Sequence, residues 1–468
     1  MYRPTIGLEV HAELSTKTKM FCESANNPDE TRPNTHVCPI CLAHPGTLPT
    51  INHEAVWHVL RIGAAIGGTL AAWSEFDRKS YFYPDIPKGY QISQYEHPLV
   101  TDGMLAGILI TRIHLEEDTA RSIHVGEKSV IDFNRAGIPL MELVTEPVIL
   151  DAETASRFAR ELQLLLRTLG ASGANLEKGE MRIEANVSVS KEGEAFGTKV
   201  EGKNLNSFHS VERAIAFEIQ RQTKLLKEGG EVAQETRGWN EEKEETFHQR
   251  SKEGSADYRY FPEPDLPKLF LSEIPRYVQE EIHASLPELP WTRRGRLCAK
   301  YELKEETAES FVHNIELGTF LEDVISDKAP DFVKLAVNYI ASDLVSLIKS
   351  GVPGAIPSAK HFSKLIEMLL SGKLSSRGAK DTLALMYGRS EGENPEEIAR
   401  THNFIQISDF TALGIIVDTV LAREKKAVLE YKNGKQAALQ YLVGKAMKES
   451  SGAGNPLELQ KIILRKLA

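Results

Sequence analysis

The sequence predicts an α+β fold: a largely antiparallel sheet with interleaved helices, followed by an all-helical C-terminal part. Three patterns carry this expectation. From Arg182 to Ser190 the chain alternates strictly, with Arg182, Glu184, Asn186 and Ser188 on one face and Ile183, Ala185, Val187 and Val189 on the other. Period two marks a β-strand, because successive side chains point to opposite faces of a sheet. The same alternation recurs in Leu8–Leu14, with Glu9, His11 and Glu13 in register, and in Arg112–Asp118, with Arg112, His114, Glu116 and Asp118. Second, strands and helices are interleaved without a regular βαβ series, which favours an antiparallel sheet. Third, beyond the Leu286-Pro-Glu-Leu-Pro-Trp291 turn the texture is almost strand-free.

The elements follow in order. Small-residue spacing predicts a helix over His58–Trp73, and Phe158, Leu162, Leu165 and Leu166 place one face of a helix over Ala152–Leu169. A third helix is expected over Glu212–Lys227, stopped by Gly229-Gly230. From Glu305 onward the pattern is helical, including Pro330–Lys349 and Lys360–Leu370, which Pro353 and Pro357 separate; a second break is expected around Gly388–Pro395.

Length and composition set bounds. A chain of 468 residues, 41% hydrophobic and 26% charged, has enough apolar material for several packed domains and is not a disordered polymer. No apolar run reaches the roughly 18 residues of a membrane span. The start, Met-Tyr-Arg-Pro-Thr-Ile-Gly, lacks the apolar core of a signal peptide, so a cytoplasmic location is expected. The net charge of -10 argues against indiscriminate coating of nucleic acid. Residues 369–468 carry 15 Lys/Arg against 11 Asp/Glu, a net of +4 on an otherwise acidic chain, which suits contact with phosphates or a plain solvated helical bundle.

Three strands with carboxylate-rich faces point to one sheet holding a metal and phosphate site; the alternative is three unrelated strands with solvated faces. Carboxylates and an imidazole at alternate positions suit a hard divalent cation, with Glu9, His11, Glu116, Asp118, Glu142, Glu146 and Glu184 as the pool. No His-Glu-x-x-His signature of a hydrolytic zinc site is present, so magnesium with a nucleotide is preferred. Charge developing on a transferred phosphoryl group needs further cations. Arg78, Lys79 and Lys88 supply them from a turn-rich loop interleaved with Tyr81, Tyr83 and Tyr90, and Arg112 and Arg182 from the strands. On the last strand, Arg182 suits phosphate, Glu184 magnesium, and Asn186 and Ser188 positioning. Gly197–Asn204 misses a phosphate-binding P-loop at its last position and lacks the strand-to-helix context, leaving Lys203, Asn204, Asn206 and Ser207 as neighbours of the polar face. Cys22, Cys38 and Cys41 raise a structural zinc knuckle, but no fourth ligand sits at a standard spacing, which favours reduced thiols. No nucleophilic triad or lysine-partnered serine run appears, so a reaction consuming ammonia would need another subunit to release it.

The chain resembles the B subunits of the aspartyl/glutamyl-tRNA amidotransferases. The resemblance rests on Gly7-Leu-Glu-Val-His11, Phe76-Asp-Arg-Lys79, Tyr81-Phe-Tyr-Pro-Asp85, Pro87-Lys-Gly-Tyr-Gln-Ile-Ser-Gln94, Ile113-His-Leu-Glu-Glu-Asp118, Asn134-Arg-Ala-Gly-Ile-Pro-Leu140, Lys203-Asn-Leu-Asn-Ser-Phe208 and Asp257-Tyr-Arg-Tyr-Phe-Pro262. It continues through Leu442-Val-Gly-Lys445 and Gly454-Asn-Pro456, and so spans essentially the whole chain. It implies a cradle domain over 1–290 with a kinase-like site, a helical domain over 291–368 and a tRNA-binding tail over 369–468. It further implies a heterotrimer with an amidase subunit and a small third subunit, acting on Glu-tRNA(Gln), Asp-tRNA(Asn) or both. ATP and Mg²⁺ would activate the side-chain carboxylate, and ammonia from the amidase would displace the phosphate. Glu9 and His11 would bind magnesium together with Glu116 or Glu117, Glu142 or Glu146, and Glu184. Lys79, Lys88 and one glutamate of the 116–118 run would line the ammonia exit. Two departures stand out: relatives with zinc carry Cys-x-Cys where this chain has Cys22 and Ser24, and Gly202 replaces a larger residue in the Glu-Ile-Lys-Asn word. A non-catalytic tRNA-binding adaptor and a free-standing carboxylate–ammonia ligase remain as rival readings.

Overall fold

The computed structural model describes residues 2–251, 258–388, 394–406, 410–450 and 454–467. Asp257 of the Asp-Tyr-Arg-Tyr-Phe-Pro word, and part of the break expected around Gly388–Pro395, lie outside them. The chain divides into two compact units, Met1–Thr292 and Arg293–Ala468.

The first unit is built on one ten-stranded sheet with helices on its apolar side. Its strands are β1 (Tyr2–Glu13), β2 (Ile108–Glu117), β3 (Pro139–Thr145), β4 (Met181–Lys191), β5 (Val200–Lys203), β6 (Glu235–Asn240) and β7 (Glu245–Ser251), with three two-residue strands beside β2. The order β7-β6-β5-β4-β1-β3-β2 is antiparallel except for the β5–β6 pair. A β-bulge shifts the β3–β2 register between Val144 and Thr145, and Thr145 Oγ1 there accepts from the Leu8 amide at 2.9 Å.

Three helices close the apolar side: α1 (His53–Ala65), α2 (Ala152–Thr168) and α3 (Phe208–Lys227). Each begins on a side chain that accepts orphan amides, namely Asn52, Asp151 and Ser207. The caps also correct two sequence boundaries. Asn52 starts α1 well before His58, and Gly67 at φ +68° ends it, so the segment to Trp73 turns into short strands instead. Ser207 likewise starts α3 four residues ahead of Glu212. Ile6, Leu8, Val10, Ile113, Leu115, Met141, Leu143 and Ile183 are at most 2% exposed and pack against Leu60, Phe158, Leu162, Leu165 and Ile215 in one core. Burying each such side chain contributes about 1.5–3 kcal/mol, which fixes which face of the sheet is dry.

A separate small sheet joins Asp77–Ser80, Tyr90–Ser93 and Phe261–Pro262.

The second unit is helical among its described residues. Pro330–Lys349 forms one run with a π turn over Tyr339–Leu344, and residues 351–358 are non-helical before helix Ala359–Leu370. The expected boundary at 368/369 falls inside that helix. Leu413, Val417, Leu442, Leu459 and Ile462 form a distinct C-terminal core. Among the described residues no helix is long and apolar enough to cross a membrane.

Candidate active site

Strand register builds the site. His11 on β1 lies opposite Arg182 on β4 and opposite Glu142 on β3, and Glu142 lies opposite His114 on β2. Directly paired residues share a face, so these four form one row across four strands on the polar side. Glu9 opposite Glu184 starts the next row, and Glu116 sits one alternation from His114. His11 Nε2 is 3.6 Å from Glu116 Oε1 and 3.4 Å from Glu142 Oε2, while His114 Nε2 is 3.2 Å from the same Glu142 oxygen. Ser93 Oγ donates to Glu116 Oε2 at 3.2 Å.

Electrostatics follow from this crowding. Burial opposes a charge on His11, yet its hydrogen bond to Glu142 and the charges of Glu142, Glu116 and Glu184 push its pKa up to about 9. Burial works against charge on Glu142 too, and His114 and His11 outweigh it, holding the carboxyl well below its usual range. Burial also opposes the charge on Lys79, from the small sheet, but Glu116, Tyr260, Glu142 and Tyr81 outweigh it and raise its pKa above the ordinary lysine value. At one end of the site Asp118 Oδ2 accepts from Arg182 Nη1 at 3.1 Å and lies 3.7 Å from Arg135 Nε. Burial, then Asp118 beside it, pushes Glu13 up to about 8.

The donor set fits a divalent cation. His11, Glu116 and Glu142 each offer a ligand atom within 4.8 Å of the others. Asn186 Nδ2 donates to Glu9 Oε1 at 2.8 Å, which leaves its Oδ1 as a buried oxygen without a partner; His114 Nδ1 and Arg112 Nε are also buried and unpartnered. Orphaned buried polar atoms on the polar face call for something to satisfy them.

Not every expected residue joins this group. Arg78 holds Glu263 with two 2.7 Å bonds and Asp265 with one of 3.0 Å, so its guanidinium is a clamp within the fold. Glu117 points to the opposite side from Glu116, paired with Lys88 and accepting from the Ile92 amide at 2.9 Å. Lys203 Nζ bonds Glu184 at 2.7 Å, Ser188 Oγ donates to the Thr5 carbonyl at 3.4 Å, and Glu146 accepts from Thr111 Oγ1 at 2.7 Å. Asn206 is exposed in the turn before α3. His114 joins the site although it was not among the expected ligands; alternation alone put it on this face. Ser93 and Arg135 stand within the family words but carried no signal of a role in the site.

Cys22, Cys38 and Cys41 bring their sulfurs within 4.8 Å of one another, close enough to share a metal ion. A closed structural zinc site takes four ligands. Lys19 Nζ and Ser24 Oγ each lie 3.8 Å from Cys41 Sγ, and a protonated lysine has no lone pair to donate. Among the described residues the set is therefore one ligand short of a closed knuckle, and beside it burial lowers the pKa of Lys19 against the opposing pull of Cys41 and Cys22. The Cys22 hydrogen bond, opposed by burial and aided by the Cys38 amide and Lys19, brings the Cys41 thiol down to about 4.

The fold and site define a two-unit protein whose sheet gathers His11, Glu116 and Glu142 into a carboxylate–imidazole cluster on its polar face. The GatB/GatE catalytic domain family matches residues 4–275 and the GatB domain family residues 319–467. The chain is 40% identical to the B subunit of the aspartyl/glutamyl-tRNA(Asn/Gln) amidotransferase of Carboxydothermus hydrogenoformans, covering 100% of this chain and 99% of the relative. It is 42% identical to the protein of the same name from Dehalococcoides mccartyi and 41% to that from Thermus thermophilus, with the same coverage. The chain belongs to the GatB family.

Proposed function

We propose that this chain is the carboxylate-activating subunit of a tRNA-dependent amidotransferase, acting in the cytoplasm on Glu-tRNA(Gln), Asp-tRNA(Asn) or both. Its partners would be an amidase subunit and a small third subunit. The convergence of His11, Glu116 and Glu142 on one polar face carries this reading. Glu9, His11, Glu116, Glu142 and Glu184 would hold Mg²⁺. A magnesium ion bound there neutralises phosphate charge and fixes the nucleotide.

The reaction has two steps. The γ-phosphoryl group of ATP passes to the substrate's side-chain carboxylate, giving an acyl phosphate and ADP; ammonia then attacks the acyl carbon and phosphate leaves. Arg182, held by Asp118, presents a guanidinium to phosphate oxygens; Arg112 on β2 adds charge further along the polar face, while Lys203 on β5 is paired with Glu184. Lys79 stays protonated beside Glu116 and supports charge on the transferred group. The Lys88–Glu117 pair, on the other side of β2, would line the ammonia route together with Lys79. Residues 291–368 would form a connecting helical domain and 369–468 the tail that holds tRNA.

The test uses the complex co-purified with its amidase partner, with misacylated tRNA, Mg²⁺ and ATP. Glu142→Gln is expected to lower transamidation by about 100-fold while glutamine hydrolysis persists. Intact transamidation in that variant would sink the assignment and favour the adaptor reading.

A further inference from the structure

Lys19 is fully buried, at 0% exposure, beside three cysteines that the proposed reaction does not use. Its ammonium donates to the Phe133 carbonyl at 3.1 Å and faces Cys41 Sγ at 3.8 Å. The same sulfur accepts from the Cys38 amide at 3.1 Å and lies 3.8 Å from the Ser24 hydroxyl and 3.8 Å from Cys38 Sγ. Two donors, the Lys19 ammonium and the Cys38 amide, aim at this sulfur and favour its thiolate, while the Cys38 carbonyl lies 3.5 Å away and accepts from the thiol form. The chemistry open to such a sulfur depends on access. Cys38 and Cys22 line a surface groove with Lys19, Ser24 and Pro39, while Cys41 also borders the cavity of Lys88, Gln91 and Glu117. A zinc knuckle would lock these thiols, but the set is one ligand short of that. Thiols left unlocked in a Cys-x-x-Cys turn can pair.

We propose that Cys38 and Cys41 are a peroxide-responsive dithiol whose oxidation loosens the loop behind the Asp118–Arg182 end of the site. The Cys41 thiolate attacks a peroxide oxygen, breaking the O–O bond to give Cys41 sulfenic acid and hydroxide. The Cys38 thiol sulfur then attacks the sulfenic sulfur, forming the S–S bond, and the sulfenic hydroxyl leaves with the thiol proton as water. Two thiols are oxidised by two electrons, and with their protons hydrogen peroxide leaves as two waters. Bridging requires the 3.8 Å sulfur separation to close to about 2 Å. That draws Cys41 away from Lys19 and leaves the buried ammonium on the Phe133 carbonyl alone. Phe133 opens the loop that carries Arg135, the second cation on Asp118.

The experiment treats the full-length chain with hydrogen peroxide and measures peptide masses, hydrogen exchange and metal content. The expected result is a Cys38–Cys41 bridge, faster exchange over residues 133–137, and reversal of both by dithiothreitol. Cys38→Ser should abolish the bridge and the exchange change, whereas Cys298→Ser should alter neither. Thiols unchanged by peroxide, a bridge at Cys22 instead, a bridge with unaltered exchange, or one tightly bound zinc per chain would each overturn the proposal. None of these readouts depends on amidotransferase activity.

Discussion

Arg78 and Glu263, 185 residues apart in sequence, form a two-bond ion pair with both N···O distances at 2.7 Å, and the Glu263 side chain has no solvent exposure. The Arg78 head also lies 4.3 Å from the Tyr90 ring centroid. This cation therefore ties the small sheet to the segment after β7 and is not free for phosphate.

Removing one member of a buried pair strands the other charge, which costs about 3–5 kcal/mol. Arg78→Ala is expected to destabilise the chain by about that amount. Urea unfolding checks it: a loss of nucleotide affinity with unchanged stability would return Arg78 to the ligand-binding set.

Glu13 gives a pH signature. Its folded pKa of about 8 stands above the ordinary carboxyl value of 4.5, so the folded state binds this proton more tightly than the unfolded chain. The stability that goes with protonation is fully present below about pH 4.5 and is lost as pH rises through about 8. Glu13→Gln keeps a donor to Asp118 without the titration. The variant should be the more stable of the two at pH 8, and its stability should vary less between these limits; identical pH profiles would refute the role.

Gly202 pairs with Ala185, on the apolar face, beside a small cavity lined by Val187, Leu205, Ala214, Ile215 and Trp239. A Cβ there would meet only the Ala185 carbonyl, at an ordinary 3.5 Å. Gly202→Ala should therefore stabilise the chain by about 0.5–1 kcal/mol, since it fills space and removes glycine's freedom in the unfolded state. A lower melting temperature would contradict this.

The last helices have their own core around Leu413, Leu442 and Ile462, so residues 410–468 are the piece to remove in testing the tail. A cut at 369 would split helix Ala359–Leu370. Deletion of 410–468 is expected to weaken tRNA binding more than it lowers turnover at saturating tRNA. Unchanged affinity in filter binding would remove the tail from the RNA surface.

Much of this protein was legible from local pattern alone, because strict alternation over Arg182–Ser190, Leu8–Leu14 and Arg112–Asp118 needs no knowledge of distant segments. Side-chain direction in a strand depends only on parity, so the polar face carrying Glu9, His11, Glu116 and Glu184 followed from sequence alone. The helix-rich texture after Pro290 was equally local. Capping was the weaker signal: the starts of α1 and α3 depended on Asn52 and Ser207, which the apolar spacing does not encode.

Tertiary structure decided which of those side chains meet. Register places His11 opposite both Glu142 and Arg182, and one residue of slip would turn the row to the other face. It also decided that Arg78 belongs to Glu263, that Glu117 turns away from Glu116 to Lys88, and that Lys19 is enclosed among cysteines. Parity is set by neighbouring residues along the chain, whereas these pairings join segments tens to hundreds of residues apart. They exist only once the core beneath the sheet has packed.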